Sequence, residues 1–246
     1  GEWNLIIGNT MANSLIVGYG KSDESRKSRG DFFPMVDILQ ADTTYTAFGF
    51  EAFTPNNELR YNTFQLQENF TRFGRTHSLT FGASYEKYRS ENVFFPGSQS
   101  VYVYNSLADF YTDANGYLQN PNRTTSPVTL RIFQVRYMNI PGLDKPLQPL
   151  EVQYTGAYVQ DEWSPRSNVK VTAGVRGDVA LFGETGYQNV NADALTFRDE
   201  TGAGVQYNTA KLPDANILWS PRLGFNWDVT GNQKNQLRGG LGLFTG

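Results

Sequence analysis

Residues 151–182 read EVQYTGAYVQDEWSPRSNVKVTAGVRGDVALF, and apolar and polar side chains alternate along the second half of this stretch. The apolar positions are Val169, Val171, Ala173, Val175, Val179 and Leu181. The positions between them include Lys170, Thr172, Arg176 and Asp178. A period of two predicts a β-strand with one apolar face and one polar face.

The predicted strand is unusually long for a soluble protein. It continues for about 14 residues, whereas a globular strand averages about 5 or 6 and a tilted membrane-crossing strand needs roughly 9 to 11. Residues 164–168, SPRSN, are typical of a tight turn, and Trp163 precedes them. We therefore predict a long hairpin, apolar outside and polar inside, which is the repeating unit of an outer-membrane β-barrel.

The same alternation recurs along the chain and predicts an all-β, antiparallel transmembrane barrel fold with about eight strands. The predicted strands are residues 2–8, 13–20, 60–72, 78–92, 152–163, 168–182, 218–229 and 236–244. Residues 43–53 are assigned to a loop, where they are a candidate for a further, non-membrane strand.

Short and long connections alternate between these strands. Short connections fall at 8–12, 74–77, 164–168 and 230–235, and long ones at about 20–58, 95–151 and 183–217. Outer-membrane barrels have short periplasmic turns and long outer loops, so the long connections are predicted to be extracellular. Within them, residues 32–57 and 96–150 are expected to be loop-like, because both are interrupted by proline and asparagine.

Composition excludes several classes of protein. The 246 residues are 39% hydrophobic, contain no cysteine and carry a net charge of -3. No apolar run is long enough for a transmembrane helix, and the mean hydropathy of -0.47 suits a barrel, in which only alternate strand residues meet lipid. The charge gives no case for nucleic acid, and the lack of cysteine excludes disulfide scaffolds and thiolate metal sites.

Several motifs resemble those of TonB-dependent outer-membrane receptors, and specifically the Oar-like branch common in Bacteroidetes. They are YVQDEW at 158–163, VKVTAGVR at 169–176, FGFEAFTPNN at 48–57, WSPRLGFNW at 219–227 and LRGGLGLF at 237–244. The resemblance implies a receptor of the Gram-negative outer membrane that binds a ligand and takes it up. It further implies a plug within a 22-stranded barrel, energy from a TonB complex, and a surface lipoprotein as a possible partner.

No plug sequence and no TonB-contacting motif is recognisable in residues 1–246. The chain begins without methionine, and its last predicted strand nearly reaches Gly246. We therefore expect residues 1–246 to form part of a single receptor barrel domain, with the plug and the remaining strands elsewhere.

Two sets of strand residues are predicted to point in opposite directions. The set expected to face lipid is Val169, Val171, Val175, Val179, Leu223, Phe225, Leu237 and Leu241. The set expected to face the interior is Lys170, Arg176, Asp178, Arg222, Asn226 and Arg238. These polar residues can pair with one another or with a plug, so they are not assigned as ligand-binding residues.

The sequence predicts no catalytic, cofactor or metal site, and hence no enzyme. His77 is the only histidine, and no nucleophile paired with it is evident, so it is interpreted as a structural or surface residue. Asp161 and Glu162 are adjacent strand residues, which point to opposite faces and cannot share a substrate. Carboxylates and amides in the loops are weak calcium candidates, with Asn115 and Gly116 interpreted as a turn; the set is Asp109, Asp113, Asn115 and Glu200.

Aromatic residues have two predicted roles. Those of the longest loop either stack on a sugar or peptide ligand or pack the loop, and they are Tyr102, Tyr104, Phe110, Tyr111 and Tyr117. Those at strand ends are expected in interfacial girdles; they are Tyr85, Trp163, Trp219 and Trp227. Two other architectures remain open: a soluble secreted β-sandwich, such as a carbohydrate-binding module, and a complete eight-stranded barrel.

Overall fold

The computed structural model describes residues 1–26, 29–139, 142–184 and 187–244. Its elements in chain order are β1 (Glu2–Ile7), β2 (Met11–Asp23), β3 (Met35–Gln40), β4 (Thr43–Phe48), β5 (Glu58–Phe73), β6 (His77–Val93), β7 (Val101–Tyr104), α1 (Leu107–Gln119), β8 (Ile132–Gln134), β9 (Leu147–Arg166), β10 (Val169–Glu184), α2 (Val190–Asp193), β11 (Phe197–Arg198), β12 (Gly204–Val205), β13 (Leu218–Asp228) and β14 (Gln236–Gly242).

The chain forms two compact units. The wall unit comprises residues 1–21, 61–90 and 149–246, and the loop unit comprises residues 22–60 and 91–148. Neither helix within the described ranges is long and apolar enough to cross a membrane.

The wall unit is built on one sheet of eight strands in the order β1-β2-β5-β6-β9-β10-β13-β14. Every strand pairs with the next of the eight along the chain, and the registers of β1–β2, β9–β10, β10–β13 and β13–β14 are antiparallel. The predicted strands and their pairing are confirmed, although several strands are longer than predicted. In the described residues β1 and β14 are the two edges of the sheet, so the closed eight-stranded barrel is not formed.

The loop unit contains a four-stranded sheet in the order β4-β3-β7-β8. β3 pairs with β4 in antiparallel register and with β7 in parallel register. Ile38 of β3 is only 1% exposed and packs with Val36 and Tyr104, and Phe110 of α1 covers this cluster. Leu39, Val101 and Val103 form a second buried cluster. The loop unit therefore has a core of its own.

Two predictions about the long connections are wrong. Residues 32–57 contain the hairpin of β3 and β4, which is stable here because β7 supplies a third strand. The candidate strand at residues 43–53 is present as β4, whereas β3 was not predicted. Asn115 and Gly116 lie inside α1 and not in a turn. Ser106 begins that helix by accepting a hydrogen bond from the backbone N–H of Asp109 at 3.1 Å, and tertiary contacts then outweigh the weak helix propensity of asparagine and glycine.

The third long connection also contains regular structure. It includes the single turn of α2 and the two-residue strands β11 and β12, which pair with each other. Glu200, a weak calcium candidate from the sequence, lies in the turn between these two strands. Asp199 accepts backbone hydrogen bonds from Thr201 and Ala203 there, so this turn is organised by its own carboxylate.

Candidate functional site

The strand registers separate the predicted lipid-facing and interior residues onto opposite faces of the wall sheet. Val171 is paired with Phe225, and Leu223 with Leu241. Partners across a ladder lie on the same face, so every residue predicted to face lipid lies on one face. Lys170 and Arg238 are both paired with Asn226, which places the charged set on the other face. The prediction that the two sets lie on opposite faces of the sheet is confirmed.

The apolar face of the wall unit is uncovered in the described residues. Val175 is 37% exposed, Leu223 48% and Leu241 74%. The core of a sandwich would bury such side chains against a second sheet. An exposed apolar band of this extent is instead suited to a lipid environment.

Tryptophans mark the two ends of the apolar band. Trp227 is paired with Val169 and Trp219 with Gly177, so roughly 26 Å of β10 separates them at about 3.3 Å per residue. Trp163 lies near Trp227, because it is paired with Val171. With strands tilted by about 35–45°, the band is about 20 Å tall, close to the apolar height of a bacterial outer-membrane barrel.

The polar face is held together by hydrogen bonds and ion pairs between strands. Arg176 forms an ion pair with Asp178 at 2.7 Å and donates a hydrogen bond to Ser84 of β6 at 2.8 Å. Lys170 pairs with Glu162 at 2.7 Å across β9 and β10. The Arg176–Asp178 pair lies within β10, the bond to Ser84 reaches across β9 to β6, and the Lys170–Glu162 pair joins neighbouring strands, so the contacts neutralise much of the charge on this face.

Tyr158 occupies the centre of this network. Its ring lies over Gly82, where an added Cβ would stand 2.0 Å from the ring. Its hydroxyl donates to Asn69 at 2.7 Å. The guanidinium groups of Arg176 and Arg222 lie 5.9 and 5.8 Å from the ring centroid, within cation–π range. Sequence reasoning missed this arrangement, although a glycine within a strand signals a close approach.

A cavity of about 370 Å³ opens on the polar face beside Arg176. Its polar lining includes Gln65 and Glu86, which share a hydrogen bond of 2.9 Å. Asp178 and Ser84 complete the wall around the guanidinium group. The polar and charged groups of the cavity are already hydrogen-bonded or ion-paired with one another. The cavity is therefore better suited to water or another polar surface than to a tightly bound ion.

Arg222 and Arg238 have no carboxylate partner within the described residues, in contrast to Arg176 and Lys170. Arg238 donates to Gln236, a neutral side chain. These two arginines therefore add positive charge to the polar face at β13 and β14, where Asp228 is the acidic residue at the turn end of β13.

His77 lies on the apolar face, at the end with the short turns. Its Nδ1 is 2.7 Å from an Asp161 carboxylate oxygen, and its ring stacks on Trp163 at a centroid distance of 6.0 Å. Asp161 is paired with Ala173 and Glu162 with Thr172, so the two carboxylates face opposite sides as predicted. No hydroxyl group of the described residues is hydrogen-bonded to His77.

Asp113 anchors α1 in the loop unit. It accepts hydrogen bonds from Tyr104 at 2.7 Å and Ser126 at 2.6 Å, and it pairs with Arg123. Burial acts to raise the pKa of Asp113, but these hydrogen bonds outweigh it and hold the pKa below its usual value. Burial and the Asp113 carboxylate raise the pKa of Tyr104. Within the described ranges no cluster of three or more potential metal ligands occurs, so the loop carboxylates form no such group.

Several of the loop aromatics take the predicted packing role. Tyr104 and Phe110 pack within the first buried cluster, and Tyr102 contacts Phe133 at 5.0 Å. Tyr111 and Tyr117 remain exposed on α1.

The antiparallel sheet has an uncovered apolar face, a hydrogen-bonded polar face and tryptophans at both ends of its apolar band. These features together define a wall of an outer-membrane β-barrel. The chain matches the family model described as "Outer membrane beta barrel domain" over residues 2–246, and it belongs to that family. Comparisons with curated proteins and with solved structures give no match. The protein is located in the outer membrane, and the soluble sandwich alternative is wrong.

Proposed function

We propose that this barrel domain is part of a TonB-dependent transporter, which binds a ligand at the cell surface and takes it up with energy from the TonB complex. The observation that carries the proposal is the open eight-stranded sheet, with β1 and β14 as its edges. An unpaired strand edge within lipid leaves backbone N–H and C=O groups without partners, at a cost of several kcal/mol each. Further strands therefore complete the wall, and the barrel is wider than eight strands.

A wide barrel encloses a lumen that side chains alone do not fill, and the largest ones hold a plug. The polar face supports this arrangement, because it combines self-neutralised pairs with Arg222 and Arg238, which have no carboxylate partner among the described residues. A plug domain supplied by another part of the polypeptide would meet these cations with carboxylates or backbone carbonyls. The motif resemblance to TonB-dependent receptors supports the same interpretation.

The long connections supply the second support for a receptor. In outer-membrane barrels such connections lie outside the cell. Two of them contribute the loop unit, with its own sheet, helix and core. A folded outer unit suits the capture of a ligand or the docking of a surface lipoprotein. The proposed work is binding and passage, with no covalent chemistry.

Energy dependence tests the proposal. Cells that produce the complete protein are compared with a deletion strain and with a strain lacking the TonB complex, using uptake of nutrients labelled with a radioisotope. We expect some nutrient to accumulate only when the protein, the TonB complex and the proton gradient are all present. Uptake that persists without the TonB complex would contradict the proposal and indicate a passive pore.

A further inference from the structure

The outer strand of the loop-unit sheet, β4, has an open edge. It is the first strand in the order β4-β3-β7-β8 and, among the described strands, pairs with β3 alone. All six of its residues are exposed. Its second edge therefore presents backbone N–H and C=O groups to solvent, which is the surface that another strand complements.

The β3–β4 hairpin is preformed. Ala41 and Asp42 have positive φ values of 50° and 62°, which fixes the tight turn between the strands. Asp42, in this turn, also forms an ion pair with Arg131, the residue directly before β8. At the other end of β4, Gly49 has a φ of +90°, and an added Cβ would lie 1.9 Å from the carbonyl oxygen of Pro34. Because this edge is already ordered, little conformational entropy would be lost from it when another strand binds.

The edge lacks most features that prevent pairing with other chains. Residues 43–50 read TTYTAFGF and contain no charged residue and no proline. Proteins usually protect a sheet edge with lysine, proline, a bulge or a covering segment. Only a register irregularity near Tyr45 is present, opposite Ile38 and Leu39. Threonine and aromatic residues instead favour extended pairing.

An aromatic shelf adjoins the end of β4. It consists of Phe33, Phe48 and Phe110, with centroid distances of 6.5 Å between Phe33 and Phe48 and 5.6 Å between Phe48 and Phe110. Phe33 and Phe48 are exposed. A side chain projecting from a strand beside β4 would find apolar contact on this shelf. In strand-addition sites, main-chain hydrogen bonds supply affinity, and such side-chain contacts supply selectivity.

We propose that β4 is a docking edge for an extended polypeptide segment, which joins the sheet as an additional strand and places an apolar side chain on the aromatic shelf. The partner is a neutral, β-prone peptide segment, because the edge itself is uncharged. The proposal does not depend on energised uptake, since a receptor without transport would show the same docking.

The test uses the complete protein in detergent micelles. The probe is a blocked peptide of alternating threonine and valine, matched to β4 in length. The control is the same peptide with every second amide N-methylated, which removes donors from one edge and keeps the side chains. Binding is followed by fluorescence anisotropy, and backbone exchange at residues 43–48 by hydrogen–deuterium mass spectrometry.

We expect the unmodified peptide to slow exchange at residues 43–48, and the methylated peptide to bind at least about tenfold more weakly because several hydrogen bonds are lost. Equal binding of the two peptides would overturn the proposal. So would slow exchange, before peptide is added, of those amides in residues 43–48 that point away from β3, which would show that another part of the protein covers the edge. Protection that depends on protein concentration alone would assign the edge to a second copy.

Two neighbouring variants keep the test independent of misfolding. Adjacent amides of a strand point to opposite edges, so one of Thr46→Pro and Ala47→Pro blocks the open edge, and the other breaks a bond to β3. The variant that preserves exchange protection in β3 is the informative one, and it should lose peptide binding. Retained binding by that variant would reject docking at β4.

Discussion

Gly82 of β6 and Tyr158 of β9 lie against each other on the polar face. The ring of Tyr158 fills the space that a side chain at position 82 would occupy. We expect Gly82→Ala to displace the ring and lower the free energy of unfolding by about 1–3 kcal/mol, the usual cost of overpacking. The measurement is the urea midpoint of the complete protein in micelles, followed by heat-modifiable gel mobility.

Gly224→Ala is the matched control for this substitution. Gly224 lies on the same face of the sheet, but the nearest atom to an added Cβ is 3.6 Å away. The urea midpoint of this variant should remain close to that of the unmodified protein. Equal loss in both variants would show that β-sheet glycines matter here for a reason other than the ring of Tyr158.

Val175 and Thr172 lie on opposite faces of β10, so substituting each of them with arginine should have different effects on assembly. Val175→Arg places a charge in the apolar band, which costs roughly 2–4 kcal/mol near the bilayer midplane. Thr172→Arg places the same side chain opposite Glu162, which can pair with it. We expect Val175→Arg to reduce the folded protein recovered from outer membranes, and Thr172→Arg to reduce it less. The reverse result would invert the assignment of the faces.

At the scale of elements, α1 depends on the ionised Asp113 carboxylate. Because its folded pKa lies below the usual value, the stability it contributes is present above the unfolded pKa of about 3.9 and is lost as the pH falls through the folded pKa. The protection factors of the α1 amides, which compare observed with intrinsic exchange at the same pH, should therefore fall on acidification below about pH 4.

The Asp113→Asn substitution should weaken this pH dependence. At neutral pH it should also lower the free energy of opening of α1 by about 1–3 kcal/mol, the usual cost for a partly buried charged group, and the amides of α1 should exchange faster. Asp109→Asn is the control, because Asp109 lies in the first turn of the same helix but makes no contact with Arg123 or Tyr104 among the described residues. An unchanged acid response in Asp113→Asn would remove Asp113 from this role.

The elements differ in how far sequence alone could predict them. The long strands were predictable because the period of two persists through β10 and because Trp163 and the following turn mark the end of β9. α1 was not predicted, because Asn115 and Gly116 favour a turn locally and because Asp113 is held by residues outside the helix, Tyr104, Arg123 and Ser126. The pattern of Ser106 followed by Asp109 at the third position was the available signal, since it is typical of a helix start.

The candidate site was predictable in part. Alternation placed Arg176 and Asp178 on the polar face. It could not show that they pair with each other, or that Arg222 has no carboxylate partner within the part of the chain that the structure describes. Such pairing depends on register between strands, which one sequence does not specify residue by residue. The edge of β4 was hidden for the same reason, because it requires knowledge of which strands become neighbours.

At the scale of the whole molecule, the open sheet makes a prediction about cross-linking. Residues 1–246 contain no cysteine, so no native cysteine of this chain competes with disulfide formation between two introduced ones. Leu223→Cys with Leu241→Cys joins register partners of β13 and β14 and should form a disulfide. Leu5→Cys with Leu241→Cys tests β1 against β14 and should not. A disulfide in the second pair would indicate a closed eight-stranded barrel.

The exposed apolar face predicts how the protein partitions. The complete protein should sediment with outer membranes and require detergent for extraction. Residues 1–246 alone should aggregate without detergent, because the apolar face and both sheet edges would meet water. Analytical ultracentrifugation of the fragment checks this, and a monodisperse, detergent-free monomer would argue against a lipid-facing surface.

The parallel pairing of β3 with β7 sets an order of assembly. It joins Met35 to Val101, and the chain between them contains β5 and β6, which are neighbours in the wall sheet. Closing so long a loop is entropically less costly after β5 and β6 have paired, because their hairpin shortens the free chain. Local hairpins also form faster than distant pairings. A mutation that only slows the pairing of β5 with β6 would therefore delay the loop unit, although it changes none of that unit's residues.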